Sequence, residues 1–263
     1  MASSTRQARI VAEGALDALG EVTLKTATEL FAAANALHSS KQLRAALSDP
    51  SAEAASKEQL VQRVFSSQLS SEVVKVLTVI AQARWSSTRD MADSIESIGV
   101  RAIARSIKNL DDLQTELFEI QQLVSSDSEL ELALSSTRAT AEQKQKLISR
   151  LVSGKVSEAA GELAQQAVQS RTYKRFAEVL EQYGLWIAQF AGESVAHIRV
   201  ARELSAAQQE RLTKALAEFF GRELQINVEI DPQVLGGVHI AINGEVLDAT
   251  VLTKLQNAKL QLG

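Results

Sequence analysis

The strongest constraint on this chain is that part of it is written twice. TELF at residues 28–31 returns as TELF at 115–118. With the same offset of 87, QLRAALS (42–48) faces ELELALS (129–135) and KEQLVQRVF (57–65) faces KQKLISRLV (144–152). Between 28–63 and 115–150, 14 of 36 aligned positions are identical without a gap. Shared richness in Ala and Leu accounts for some matches, but not for Thr28/Thr115, Lys57/Lys144 or Arg63/Arg150. With small gaps the correspondence continues, RDMADSIES (89–97) facing KRFAEVLEQ (174–182). The common short helical repeats run to about 34 to 47 residues, well below this period. The pattern predicts two copies of a small helical bundle, each with its own core.

Within the duplicated region, apolar residues recur at three- and four-residue spacing, the period of a helix with one buried face. Leu24, Ala27, Leu30, Phe31 and Ala34 make one such stripe, and Val73, Val76, Leu77 and Ile80 another. Gly20, the DPS at 49–51, Gly99, Gly154 and Gly192 are expected to separate the helices. After Gly192 the period changes. SVAHIRVA (194–201) and LQINVEID (224–231) alternate apolar and polar residues, as half-buried strands do. Ser205 and Gln208 between them form a capping-box pair ahead of a helix carrying Leu212, Leu216, Phe219 and Phe220. VHIAI (238–242) reads as a third strand, Asn243-Gly244 as a tight turn and EVL as a short return. Asp248 then caps a last helix striped by Leu252, Leu255 and Leu262. The expected fold is mainly α: a first helical bundle over 1–105, a second over 106–192, and a small β-α-β-β-α module of the α+β class over 193–263.

Composition removes several function classes. The chain is 45% apolar, 23% charged and only 4% aromatic, with a net charge of −4, which argues against a nucleic-acid surface. There is no cysteine, so disulfides and thiolate metal sites are excluded. The first twenty residues carry Glu13 and Asp17 and lack a long apolar core, unlike a secretory signal. No apolar run is long enough to span a bilayer, since VVKVLTVIAQARW is broken by Lys75. His38, His197 and His239 have no helical partner of metal-binding spacing. Neither a nucleophile elbow, a phosphate loop nor a dinucleotide fingerprint occurs. No catalytic, cofactor-binding or metal-binding residue is expected.

The run INVEIDPQVLGGVHIAINGEVLDATVLTKLQNAKLQL (226–262) resembles the closing signature of the F-type ATP synthase delta subunit family, to which the mitochondrial oligomycin-sensitivity-conferring protein belongs. Asp231, Pro232, Leu235, Gly236, Gly237, Val238, Ile240, Gly244, Leu247 and Asp248 fill its positions, while Ala249 stands where a glycine is usual. Residues 115–190 are similar to the family's helical domain. Family members commonly carry one such domain, and the two seen here resemble the long actinobacterial form. The resemblance implies a non-catalytic subunit of the peripheral stalk, without cofactor, present once per complex on the cytoplasmic face of the cell membrane. Its implied partners are the N-terminal helices of alpha subunits and the C-terminal end of the b subunit. The ten signature positions are implied to be structural or docking residues. A helical adaptor of an unrelated complex is the alternative reading, and an enzyme built on the Gly-Gly loop a third.

Overall fold

The computed structural model describes residues 3–136, 138–171, 175–193, 195–200, 204–220, 225–230, 238–242 and 245–247. The chain is mainly helical, and it divides into two compact units, 1–187 and 188–263.

In the first unit, α1 (Ser3–Asp17), α2 (Leu24–Ser39), α3 (Lys41–Ser48), α4 (Ala54–Phe65), α5 (Ser71–Gln82) and α6 (Thr88–Ser106) come first. They are followed by α7 (Leu110–Ser125), α8 (Ser128–Ser135), α9 (Ala141–Val152), α10 (Glu158–Ala167) and α11 (Phe176–Glu193), the last of which runs on into the second unit from residue 188. A helix leaves its first backbone N–H groups without internal partners, and short oxygen-bearing side chains accept from them. Ser40 caps α3 and Asp127, 87 residues on, caps α8. Ser70 caps α5, and Ser157 caps α10 at the same offset. The repeat thus fixes where helices begin. It also fixes a tertiary bond: the Ser70 N–H and hydroxyl both donate to Glu29, and those of Ser157 both donate to Glu116.

One expectation fails instructively. Gly99 does not separate two helices but lies in the middle of α6, where α2 packs along it. A Cβ at position 99 would overlap the Phe31 ring, so the residue is small because two helices cross closely there. Gly154, by contrast, follows α9 at φ +69°, a left-handed conformation that favours glycine.

α6 is buried nearly all round, and the repeat explains why. Its residues Met91, Ser94, Ile95, Ile98 and Ala102 match the buried Phe176, Val179, Leu180, Tyr183 and Ile187 of α11 at an offset of 85. Its residues Ala92, Ile95, Gly99 and Ile103 match the buried Thr5, Ala8, Ala12 and Leu16 of α1 at an offset of 87. One helix therefore presents both stripes, as the last helix of the first copy and the first helix of the second. α1 is held against it by Arg105, whose Nη1 donates to the Leu16 carbonyl at 2.7 Å, and by Arg101 and Arg105 at 3.2 and 3.3 Å from Asp17.

The second unit contains β1 (Val195–Val200), α12 (Ala206–Phe220), β2 (Gln225–Ile230), β3 (Val238–Ile242) and β4 (Glu245–Leu247). The strands form one sheet in the order β2-β1-β3-β4. β1 and β2 are parallel and are joined through α12, since parallel neighbours require a crossover. β3 runs antiparallel to both β1 and β4. Ser205 and Gln208 exchange the expected reciprocal bonds at the start of α12. Ile198, Val200 and Leu216 are buried. The helix expected after Asp248 lies outside the described residues.

Candidate docking surfaces

The two helical copies meet in a seam that is polar and buried. Asn35 on α2 donates to the Gln166 carbonyl oxygen on α10 at 2.9 Å, and the Gln166 amide donates back at 3.2 Å. Gln166 also donates to Glu96 on α6 at 3.3 Å, and the Tyr183 hydroxyl on α11 donates to the same carboxyl oxygen. Glu96 is fully buried, so these donors stand in for the water it has lost. His38 Nε2 lies 3.4 Å from Asp93 and 3.9 Å from Glu96. Burial pushes the His38 pKa down, against the pull of Glu96 and with the added repulsion of Arg44, Arg89 and Arg171. Burial and the neighbouring Glu96 carboxylate raise the Tyr183 phenol well above its ordinary value. Such a seam holds two elements in one register, because a slip would leave buried polar groups without partners.

A cleft of about 230 Å³ in the first copy is lined by Pro50, Ala54, Lys57, Gln82 and Arg84. Its buried cation is committed to structure: Lys57 Nζ donates to the Ala81 carbonyl at 2.8 Å, closing the C-terminal end of α5. Burial lowers the pKa of Lys57, and does the same to its counterpart Lys144. Among the described residues, no His, Asp and Glu cluster could hold a metal ion, and no helix is long and apolar enough to cross a membrane.

Apolar side chains stand out on several helices. Phe118 is 57% exposed, Leu123 44%, Leu132 71% and Leu185 59%. Ile10 and Val11 on α1 and Val79 on α5 are also exposed. Of the signature positions, Val238 and Ile240 fall on β3, opposite Val200 and Ile198, and Leu247 on β4 is opposite Ile240. Asp231, Pro232, Leu235, Gly236, Gly237, Gly244 and Asp248 lie outside the described residues. The seam was not foreseen from sequence. The aligned positions do not mark it, since Asn35 and His38 face Gln122 and Ser125, polar residues in both copies.

The whole chain has relatives. It matches the family described as ATP synthase delta (OSCP) subunit twice in succession, over residues 15–99 and over 100–262. The chain belongs to this family. An ATP synthase subunit delta from Leifsonia xyli is 40% identical over 263 residues, covering 100% of this chain and 99% of the relative. Those of a Nocardioides strain and of Kineococcus radiotolerans are 35% and 32% identical, over 90% and 99% of this chain and 86% and 95% of the relatives. A chain in the cryo-EM structure of the Toxoplasma gondii mitochondrial ATP synthase hexamer matches at 17% identity and a TM-score of 0.32, covering 63% of this chain and 94% of that one. The two successive matches agree with a duplicated form of the delta subunit, a structural and not a catalytic component of ATP synthase.

Proposed function

We propose that this subunit works as a stator element, tying the alpha/beta catalytic head to the b subunit so that proton-driven rotation is coupled to ATP synthesis. The observation that carries this reading is the family match over both copies and through the C-terminal unit. A head that turned with the rotor would waste the rotation, so a stator needs firm, slowly dissociating contacts and no chemistry of its own. A buried polar seam between packed helices suits such a part, since it resists shear.

In this reading the helical region, 1–105 and 106–192, receives N-terminal helices of alpha subunits by helix-in-groove docking. The C-terminal region, 193–263, is an α+β docking module for the end of the b subunit, with Asp231, Pro232, Leu235, Gly236, Gly237, Val238, Ile240, Gly244, Leu247 and Asp248 as its structural signature. One copy serves each complex, on the cytoplasmic face of the membrane. The extra helical copy lengthens the link or adds a docking surface, an idea defeated if a chain lacking 24–105 still assembles the stalk. The main test is a pull-down of the tagged chain from detergent-solubilised membranes. Alpha, beta and b subunits are expected with it, and their absence sinks the assignment. Depleting the chain should abolish coupled ATP synthesis while isolated heads still hydrolyse ATP.

A further inference from the structure

We propose that the seam between the two helical copies is a proton-operated latch, closed while His38 is neutral and opened when its imidazole takes up a proton. The latch is a property of the chain itself and does not depend on the stalk reading.

The observation that carries it is one carboxylate serving two sides. Glu96, fully buried on α6, turns Oε1 to the second copy, where Gln166 and Tyr183 both donate to it. Its other oxygen, Oε2, lies 3.9 Å from Nε2 of His38 on α2, and Asp93 Oδ1 lies 3.4 Å from the same nitrogen. The His38 side chain is 3% exposed, and Nε2 makes no hydrogen bond. Buried polar atoms without a partner are rare, because water lost without replacement costs free energy. One turn before His38, Asn35 exchanges bonds with Gln166. The nitrogen without a hydrogen bond thus sits beside the bonds that join the copies.

A proton on Nε2 would turn this tolerated defect into a buried cation. An imidazolium there has two ways to be satisfied. It can draw Glu96 Oε2 closer, at the expense of the bonds on Oε1, or it can reach water where α2 and α10 part. Both routes loosen the same seam. The surroundings oppose a quiet ion pair. Burial, then the repulsion of Arg44 on α3, Arg89 on α6 and Arg171 after α10, outweighs the pull of Glu96, so the closed form resists the proton. Other groups about α2 do not supply the effect. Tyr183 of α11 keeps its proton, since burial and Glu96 raise its pKa well above the ordinary value. Glu72 of α5 lies near Lys25, at the far end of α2. Glu162, one turn before Gln166 on α10, has its pKa raised by burial and by Glu158. A carboxyl of that kind takes its proton first in the folded chain, so acid acting there tightens the fold, the opposite sign.

The test is amide hydrogen exchange of the full chain, corrected for the intrinsic effect of pH on exchange. An open seam binds the proton at the ordinary His value of 6.5, and the closed seam binds it less readily. Opening of the last turns of α2 and of α10 should therefore rise from a few-fold to about tenfold between about pH 7.5 and about 5.5, while α4 and α5 keep their protection. His38→Gln should abolish the change and Glu162→Gln should retain it. No fall at the seam, a fall shared equally by all helices, or the same fall in His38→Gln overturns the latch, as does its loss in Glu162→Gln. A second measurement leaves His38 in place. The three imidazoles of the chain are titrated by NMR, with His197→Gln and His239→Gln assigning them by subtraction. The His38 ring should titrate below its ordinary value, and the side-chain amides of Asn35 and Gln166 should shift at the same midpoint. Amides that ignore that midpoint overturn the proposal.

Discussion

Tyr183 and Glu96 carry the energetics of the seam at the scale of single residues. Tyr183→Phe keeps the ring, including its stacking on Trp186 at 5.7 Å, and deletes one donor to a carboxyl group that water cannot reach. The expected loss is about 1–3 kcal/mol, read as a lower urea midpoint of the isolated chain. His38 adds a pH dependence whose sign follows from its lowered pKa. Above its ordinary value of 6.5 both folded and unfolded chains hold it neutral, and its contribution is fully present. As pH falls below that value the unfolded chain takes the proton first, so stability declines until the folded pKa is passed. Urea midpoints measured from about pH 7.5 down to about 5.5 should therefore fall, and His38→Gln should flatten the slope. An identical slope in the variant would count against this account. None of it was legible in sequence, because the partners of His38 are Asp93 and Glu96, far along the chain. Spacing rules search one helix at a time.

At the scale of elements the sequence was more readable. The stripes of α2, beyond its half-buried first residue Leu24, and of α5 are buried as their periodicity requires, and the capping pair of α12 forms. What failed was Gly99, read as punctuation when it is a point of close packing. A helical glycine looks the same in sequence in either role, and only the partner across the crossing distinguishes them. The repeat turns this into a paired prediction. Gly99→Ala forces a methyl against Phe31 and should cost about 1–3 kcal/mol. Gly184→Ala meets open space and should stabilise the isolated chain by about 0.5–1 kcal/mol, through helix propensity alone. Thermal unfolding followed by circular dichroism checks both, and equal effects of the two changes would defeat the explanation. TELF is visible twice, yet Phe31 is buried against Gly99 while Phe118 is exposed, a difference the matching letters do not carry.

For the whole molecule, the question is where one copy stops. The duplication predicts two bundles, yet α6 carries the buried stripe of both α1 and α11. A fragment beginning at Thr88 retains this helix with the second copy, and one beginning at Ile107 lacks it. The first should melt cooperatively. The second should show a broad transition at a clearly lower temperature, having lost the helix that supplies Glu96 to Gln166 and Tyr183. Comparable melting of the two fragments would mean that each copy is closed on its own. Sequence comparison could not place this boundary, since two superposed stripes on one helix resemble a single apolar helix.

Sharing α6 makes the duplication open-ended. The unit that recurs is five helices long, α1 to α5 and then α6 to α10, with α11 as a terminal plate. A third unit inserted ahead of α11 would need no new kind of joint, only the one already built between α2, α6 and α10. Reach in such an arm is set by counting: each further stretch of about this period advances the tip by the same step, as in other stacked repeats. Evolution could tune the span of a stator by copying, with the interface supplied in advance.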